Sequence, residues 1–519
     1  MVQLIPSPAG KWAPQTPVAR IYAGFPYPIY VVENPSFSEE EKKLAELMAK
    51  ALNRRVPETD WARQLPAGMS KSLPHAFHTQ IITYAESHDL IEKPPSPTEY
   101  NEMVKELEAL LKEYANTITQ PKAFAEYVID QGAGFWELGK MMRDPELNEI
   151  MVNGFGKYVF VEHQKMGMCQ SNIFIEHHDP LINRIVLKSA RFAGRNFSEE
   201  DPLLDARLPD GNRLNATYET ITPLGHSITI RKFRNETYSL IDLINAHTIS
   251  SELAAYLWIM AEGMGGSPMN MLISGGSGSG KTTLLNALAA CVPYRERIIS
   301  IEDTLELQFP ERQNWIAMES KPSIGKHAGI GMDDLLKNAL RMRPDRVIVG
   351  EVRGIEAQTL FAAMDTGHSG SMGTIHANSP SETLLRLTSE PMNVPKTLIP
   401  LLNIVLIMQK IHFPGEGTIR RVSQVAEISH MEREPLLANV YERKPDGDII
   451  LRTDTPSHSV QVLADATGKT RKIIQQEILV RQKILEWMTR HNIHAYAEVE
   501  QVFQRYLSNP LSILEQIQS

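Results

Sequence analysis

The spacing of apolar residues predicts that the chain begins with a small helical unit. Ser38 and Glu41 have the spacing of a capping box, and apolar residues follow them at helical intervals. A second amphipathic helix is predicted around 103–114. Several prolines in the first ~35 residues favour an extended segment ahead of these helices. Residues 1–119 are therefore predicted to form an extended segment and a helical module with a packing or docking role.

The pattern changes to mixed α/β over 120–235. Short apolar runs predict strands, and the segment DARLPDGNRLNA predicts a hairpin that turns at Pro209-Asp210-Gly211. The predicted strands lie at 150–152, 158–161 and 227–231. The next stretch, 236–251, is polar at both ends and is predicted to contain the linker to the following domain.

Strands and helices alternate from residue 252 onward, which indicates a parallel sheet covered by helices. The patterns at 461–488 and 497–517 predict helices that close the C-terminus. The fold class predicted from the second half of the chain is therefore α/β.

A glycine-rich loop lies between the predicted strand 269–273 and a predicted helix. Glycines let successive backbone N–H groups turn inward around a phosphate, and the helix start adds the positive end of its dipole. This loop is predicted to bind ATP, with Lys281 at the β- and γ-phosphates and the Thr282 hydroxyl on Mg²⁺. The predicted nucleotide-binding residues are Gly275, Gly276, Ser277, Gly278, Ser279, Gly280, Lys281, Thr282 and Thr283.

Hydrolysis of ATP also needs a group that orients and deprotonates water, and an acidic group near Mg²⁺. A predicted strand, IISI, ends in Glu302, Asp303 and Glu306, at the sheet edge where α/β folds bind ligands. We expect Glu306 to be the catalytic base, with Glu302 and Asp303 in contacts to Mg²⁺ or water. A second strand, VIVG, ends at Glu351, which is predicted to bind a water ligand of Mg²⁺. The spacing leaves open which of Glu306 and Glu351 is the base.

Two histidines flank the short predicted strand SMGTI. His376 follows the strand among small residues and is predicted to sense the γ-phosphate, whereas for His368 a structural role stays open. The pair would permit a metal, but no cysteine or third ligand lies nearby in the sequence, which argues against zinc.

Composition narrows the class of protein. With 42% hydrophobic and 22% charged residues, the 519-residue chain is typical of a globular protein of about two to four domains. The net charge of −9 lowers the expectation of a nucleic-acid partner without removing it. Two distant cysteines, Cys169 and Cys291, exclude a disulfide framework and a four-cysteine zinc site, and they favour a reduced intracellular compartment.

No secretory signal is visible, and the longest apolar stretch, 398–408, is shorter than the roughly 20 residues of a membrane-spanning helix. We therefore expect a cytoplasmic protein that associates with the inner face of the membrane through partners.

Four motifs in order resemble those of the type II/type IV secretion ATPase superfamily. Besides the phosphate loop, they are EDTLE at 302–306, VGEVRG at 349–354 and TIHAN at 374–378, which resemble the Asp box, Walker B and His box of that family. The similarity covers roughly 120–430. Within the superfamily the chain is most similar to archaeal archaellum and type IV pilus assembly ATPases and to tight-adherence pilus ATPases.

The resemblance implies a PAS-like domain over 120–235, a flexible linker over 236–251, and a RecA-like P-loop ATPase domain over 252–519. It implies ring-shaped homo-hexamers with ATP near the domain cleft and at subunit boundaries. Arg207 and Arg213 would approach the phosphates there, and Arg231 would line the nucleotide site. ATP turnover would then drive assembly or secretion of pilin-like subunits through an integral membrane platform protein.

Two alternatives stay open. A pilus-retraction or DNA-transfer ATPase of the same superfamily would share this chemistry but not the cargo. A nucleic-acid translocase would need a basic, aromatic-lined channel, and no obvious basic cluster surrounds the motor motifs. The sequence does not decide the kind of filament or the direction of motion.

Overall fold

The chain folds around two sheets, one in each of two units of the computed structural model. The first unit comprises Met1–Arg234 and Pro414–Gly417, and the second comprises Asn235–Phe413 and Thr418–Ser519. The residues that the structure describes are 19–22, 24, 26–33, 35–53, 57–66, 69–90, 92–115, 117–177, 180–233, 237–321, 329–413, 417–431, 434–444 and 450–518.

The first helices of the first unit confirm the predicted helical module. The Glu41 N–H donates to the Ser38 hydroxyl and the Ser38 N–H donates to the Glu41 carboxylate, which closes the predicted capping box. The apolar faces of all of these helices except α2 share one core. The helices are α1 (Glu39–Leu52), α2 (Glu58–Ala62), α3 (Leu73–Phe77), α4 (Thr83–Ser87), α5 (Pro97–Tyr114) and α6 (Pro121–Gly132), with a π-helical turn at His78–Ile82.

Eight strands form the sheet of the first unit, in the order β1-β2-β5-β4-β3-β8-β7-β6. They are β1 (Ala19–Tyr22), β2 (Ile29–Val32), β3 (Leu147–Asn153), β4 (Lys157–His163), β5 (Gly167–Ile175), β6 (Leu203–Arg207), β7 (Arg213–Thr217) and β8 (Ser227–Arg231). The helices α7 (Gly139–Arg143) and α8 (Pro180–Phe192) and a 3-10 turn at Trp136–Leu138 accompany the sheet. The predicted hairpin is confirmed, because β6 pairs antiparallel with β7 across 208–212.

The predicted extended segment lies outside the described residues as far as residue 18. Its remainder, 19–32, does not stand apart from this α/β domain as the boundary at residue 119 predicts. Strand β2 pairs in parallel with β5, and the buried Tyr30 donates its hydroxyl hydrogen to Asp144 over 2.6 Å. The extended segment therefore contributes two strands to the sheet of the α/β domain. Local sequence pattern shows an extended segment but not its distant partner strand.

The second unit contains the predicted α/β motor domain. Its strands are β9 (Met271–Gly275), β10 (Ile298–Glu302), β11 (Trp315–Glu319), β12 (Arg346–Val352), β13 (Met372–Ile375), β14 (Ile404–Phe413), β15 (Gly417–Met431), β16 (Glu434–Arg443) and β17 (Ile450–Arg452). Its helices are α9 (Leu240–Asn245), α10 (Ser251–Glu262), α11 (Lys281–Ala289), α12 (Met332–Ala339), α13 (Glu356–Asp365), α14 (Pro380–Thr388), α15 (His458–Thr467), α16 (Arg471–Arg490), α17 (Tyr496–Ser508) and α18 (Pro510–Gln518), with 3-10 turns at Gly263–Gly265 and Lys396–Leu401.

Six neighbouring strands of this sheet are parallel, in the order β11-β10-β12-β13-β9-β14. One strand, β13, separates β9 from β12, which is the arrangement of RecA-like domains. Met271 and Ile273 of β9 belong to one apolar core and Leu272 to another, so both faces of the sheet are covered. This confirms the predicted fold class, and the α/β domain that precedes it in the chain is also present.

The predicted linker, 236–251, is largely part of the second unit. It contains α9, whose Leu240, Ile241 and Leu243 are buried in the core of that unit. The polar residues at the two ends of the segment cap helices instead: Ser239 starts α9 and Ser250 starts α10. Serine is common both at helix N-caps and in linkers, so the polar residues of this segment were compatible with either. This explains why 236–251 was predicted to be a linker.

The C-terminal part differs from the sequence prediction in two respects. The helix predicted at 461–488 is divided at Gly468, which ends α15 in a left-handed conformation, φ 67°. The helix predicted at 497–517 is divided before Pro510. The strands β15 to β17 were not predicted, and they extend the sheet beyond β14. In the described part of the chain, no helix is both long and apolar enough to span a membrane.

Truncation of Leu240 tests whether this segment belongs to the motor core. Because Leu240 is fully buried, Leu240→Ala is expected to lower the free energy of unfolding of the second unit by about 2–5 kcal/mol. Urea denaturation measures the change, which should appear as a lower midpoint concentration of urea with an unchanged m-value. Leu511→Ala is the control, since Leu511 is 68% exposed and its truncation should cost little. If both variants were equally stable, α9 would not be packed in the core and the segment 236–251 would be a linker, as the sequence predicts.

Candidate nucleotide site

The glycine-rich loop joins β9 to α11, as its sequence predicts. At Gly280 the backbone adopts φ 93°, which side chains other than glycine rarely tolerate. At Gly275 a Cβ would stand 2.4 Å from the carbonyl oxygen of Met408 on β14. Glycine is therefore needed at both ends of the loop, once for conformation and once for close packing. The resulting cradle of backbone N–H groups before a helix start fits a phosphate group.

Lys281 is the first residue of α11, and its side chain is buried within the loop that precedes it. Its ammonium donates to the carbonyl oxygens of Gly275 and Gly276 over 3.0 Å and 2.9 Å. The positive charge thus lies at the centre of the loop. Thr282 and Thr283 follow on the first turn of the helix and are half-buried.

A series of three charged or titratable side chains crosses the ends of neighbouring strands. The Lys281 Nζ lies 3.5 Å from Nδ1 of His376, and Nε2 of the same histidine lies 3.3 Å from Oε1 of Glu351. The strand register brings them together, because Ile375 of β13 pairs with Ser274 of β9 and with Val352 of β12. The structure therefore unites the predicted lysine, histidine and Walker B glutamate in one site.

The pKa of His376 is shifted by this environment. Partial burial lowers it below the usual value, and the Lys281 ammonium lowers it further, whereas the Glu351 carboxylate opposes the shift. This environment therefore favours the neutral form of the imidazole. A neutral ring can accept a hydrogen bond at Nδ1 while it donates one from Nε2.

Glu302 lies at the end of β10 and is hydrogen-bonded to the backbone that follows it. It is 1% exposed, and its Oε2 accepts hydrogen bonds from the backbone N–H groups of Glu306 and Leu307, over 2.8 Å and 3.0 Å. Burial raises the pKa of this carboxyl to about 7. Its other oxygen, Oε1, is buried and accepts no hydrogen bond from the described residues. The predicted contact of Glu302 with Mg²⁺ or water stays a prediction. Through Oε2, Glu302 holds the segment that carries Glu306.

Gly350 makes room for this buried carboxyl group. A Cβ at Gly350 would stand 2.7 Å from Cγ of Glu302, so a side chain on β12 would collide with it. The glycine thus occupies the place where Walker B strands usually carry an aspartate. The sequence shows that the usual aspartate is replaced by glycine at this position. Only the packing shows that the space for a side chain is occupied by Glu302.

Asp303 contacts Arg353, the residue that directly follows β12. The Arg353 guanidinium forms an ion pair with the Asp303 carboxylate, and the Ser320 hydroxyl donates to the same carboxylate over 2.8 Å. Glu306, three residues further on, is half-buried. Its predicted role as the base stays a prediction.

The other residues that the sequence analysis considers are His368 and three arginines of the first unit. His368 precedes β13, at the opposite end of that strand from His376, and its Nδ1 lies 3.0 Å from the carbonyl oxygen of Pro344. In the first unit, Arg213 is the cross-strand neighbour of both Arg207 and Arg231. Three adjacent strands thus place the three arginines together, and their role toward a nucleotide stays a prediction.

No group of three or more histidine, cysteine, aspartate or glutamate side chains within the described ranges is arranged to hold a metal ion. Mg²⁺ that enters with a nucleotide uses only one or two protein ligands, so this finding does not bear on Thr282 and Glu351.

A phosphate loop between a strand and a helix, with glutamates and a histidine at the ends of adjacent parallel strands, defines a RecA-like P-loop protein. Residues 138–431 match the family described as type II/IV secretion system proteins. The chain belongs to this family, the superfamily of ATPases that its four motifs resemble.

Relatives extend the match beyond the motifs. An uncharacterized protein of Methanocaldococcus jannaschii is 44% identical over 273 residues, which are 50% of this chain and 37% of that protein. A second uncharacterized protein of that organism is 34% identical over 385 residues, which are 73% of this chain and 68% of that protein. The type IV secretion system protein PtlH homolog of Bordetella bronchiseptica is 30% identical over 313 residues, 54% and 90% of the two chains. The chain thus spans little more than a third of the first relative.

The raised pKa of Glu302 predicts a pH dependence of stability. Between its ordinary pKa of 4.5 and its folded value of about 7, the folded chain binds the proton that the unfolded chain has lost. Raising the pH through this window should therefore destabilise the wild type relative to Glu302→Gln, by up to about 3 kcal/mol. Urea denaturation at several pH values measures the difference.

The control for this experiment is Glu498→Gln, which replaces an exposed glutamate of the same unit. Its difference from the wild type should stay flat over the same pH range. Parallel stability curves for the wild type and Glu302→Gln would contradict the buried, proton-binding carboxyl group.

Proposed function

We propose that this chain is an ATP hydrolase that powers assembly or secretion of pilin-like subunits through a membrane platform protein. The observation that carries the enzymatic part is the contact series from Lys281 through His376 to Glu351 beside the phosphate loop. An ammonium group beside a phosphate loop and a carboxylate at the end of a parallel sheet are among the groups that phosphoryl transfer uses.

The phosphates of ATP would replace protein groups that now face the loop. The Lys281 ammonium donates to two loop carbonyls and faces Nδ1 of His376. The β- and γ-phosphates carry more negative charge than these partners, so the ammonium would exchange them for phosphate oxygens when ATP binds. Mg²⁺ bound with the nucleotide supplies further positive charge, and Thr282 and Glu351 are the residues that would hold it, the glutamate through water.

In hydrolysis, a water oxygen forms a bond to the γ-phosphorus while the bond from that phosphorus to the ADP oxygen breaks. The water proton passes to the carboxylate of Glu306, and ADP and inorganic phosphate are released. Glu302 acts as a positioning residue for this base, because it holds the Glu306 N–H. Glu351 is the alternative base.

His376 fits the role of a sensor for the γ-phosphate. Its Nδ1 faces the Lys281 ammonium, which can only donate, and its Nε2 faces the Glu351 carboxylate, which can only accept. This arrangement assigns the imidazole proton to Nε2. A change in the position of Lys281 on binding ATP would thus pass through the ring to Glu351.

The proposal that pilin-like subunits are the cargo is based on membership of the family. The family is that of type II/IV secretion system proteins, and the Bordetella relative carries the name of a type IV secretion component. Homo-hexamers and a membrane platform partner follow from the resemblance of the motifs. A retraction or DNA-transfer ATPase would use the same site.

Substitutions in the site test the hydrolysis. Lys281→Ala and Glu306→Gln should each reduce ATP turnover by purified protein, the latter by a factor of about 10² to 10⁴, as for loss of a general base. Lys337→Ala is the matched control, since Lys337 pairs with Asp333 on the surface of α12. Phosphate release in a steady-state assay measures the rate. Full activity of Glu306→Gln, together with an inactive Glu351→Gln, would move the base to Glu351.

The oligomeric state is a separate prediction. With Mg²⁺ and a non-hydrolysable ATP analogue, light scattering should show a species of six times the mass of one chain, because a nucleotide bound between subunits stabilises their association. Lys281→Ala should form less of it at the same analogue concentration. A strict monomer at every protein concentration would exclude the ring.

A further inference from the structure

The phosphate loop is contacted by a strand outside the four motifs. Arg420 of β15 donates a hydrogen bond from Nε to the carbonyl oxygen of Gly278 over 2.9 Å. Its Cδ would stand 3.3 Å from a Cβ at Gly280, and Nζ of Lys410, on the neighbouring strand β14, 3.6 Å from a Cβ at Gly278. Two cationic side chains thus lie against the middle of the loop.

The hydrogen bond from Arg420 fixes the orientation of one peptide group in the loop. In a trans peptide, the C=O of Gly278 and the N–H of Ser279 point in opposite directions. With the carbonyl held by the guanidinium, the N–H is directed to the other side, where it lies 3.4 Å from the carbonyl oxygen of Gly276. This N–H is one of the loop donors that a phosphate would recruit. Arg420 therefore controls a donor that it does not itself supply.

The next two residues of β15 are bonded to a different segment. Arg421 donates from Nη1 to the carbonyl oxygen of Ala246 over 2.8 Å, and the Val422 N–H donates to the carbonyl oxygen of Thr248 over 2.9 Å. The segment 246–248 directly follows α9, the first helix after the boundary between the two units at Arg234 and Asn235.

Three consecutive residues of β15 are thus hydrogen-bonded to two segments. Arg420 bonds to the phosphate loop, and Arg421 and Val422 bond to 246–248. Side chains and backbone that are hydrogen-bonded in series can pass a displacement at one end to the other, provided the strand between them is rigid.

We propose that Arg420 is a positioning residue of the nucleotide site, which sets the Gly278 peptide for a nucleoside triphosphate and, through Arg421 and Val422, couples the loop to 246–248. This inference rests on the proposed binding of ATP. In hydrolysis the motion of the Gly278 peptide changes the hydrogen bonds that Arg421 and Val422 make to 246–248.

Hydrogen exchange of the full chain, with and without Mg²⁺ and a non-hydrolysable ATP analogue, tests the coupling. In the wild type, the analogue should slow exchange at the loop amides of 276–281 and, by about 5-fold or more, at the amides of 246–250. In Arg420→Ala, the loop should still be protected at saturating analogue, whereas the effect at 246–250 should be lost. Arg420→Lys keeps one donor and should restore part of it.

Arg490→Ala is the matched control, because Arg490 is exposed at the end of α16. In kinetic assays, Arg420→Ala should raise the KM for ATP by about 10-fold and change kcat less, since it disturbs the loop before the chemical step. A merely structural role would lower the stability of the second unit without this separation of KM from kcat.

Each outcome decides one question. If the analogue protects 246–250 in Arg420→Ala as in the wild type, the coupling is wrong. If it protects the loop but not 246–250 in the wild type, the coupling is wrong while the nucleotide site stands. If it protects neither segment of the wild type at saturation, the proposed ATP binding itself fails.

Discussion

The candidate site depends on the parallel pairing of β9 with β13 and of β13 with β12. Parallel strands place their carboxyl ends at the same edge of a sheet, so residues 95 positions apart, such as Lys281 and His376, come into contact. Glu351 reaches the same point from β12. Side chains alternate between the two faces of a strand, and a shift of β13 by one residue would therefore turn its residues to the opposite face. The contacts among Lys281, His376 and Glu351 therefore depend on the register of β13, a strand of four residues.

The same edge carries an unfavourable feature that the fold retains. Glu302 is a buried carboxyl group, and burial of such a group costs free energy unless it is hydrogen-bonded or neutral. Two backbone N–H groups satisfy one of its oxygens, and its raised pKa favours the neutral form. What the arrangement contributes is a fixed path for the chain toward Glu306. Gly350 is a consequence of this burial, since the space for a side chain on β12 is taken.

Much of the site was predictable because its signals are local. The phosphate loop needs glycines at set intervals between a strand and a helix, and both neighbours are visible as apolar patterns of different period. The strand predicted at 227–231 coincides with β8, and the hairpin at 205–216 is present, because alternation and turn residues act over a few positions. The burial of Glu302 was not predictable in this way, since it depends on the space that Gly350 leaves on another strand.

The sequence by itself determined the phosphate loop, the glutamates and histidine that end the neighbouring strands, and the α/β class of the motor domain. Only the tertiary structure decided that β2 joins β5, that α9 is buried in the motor core, and that Arg420 holds Gly278. The physical reason is common to all three. Each depends on a pairing between segments far apart in the chain, and the periodicity of a segment shows that it has an apolar face or an open edge without showing what covers it.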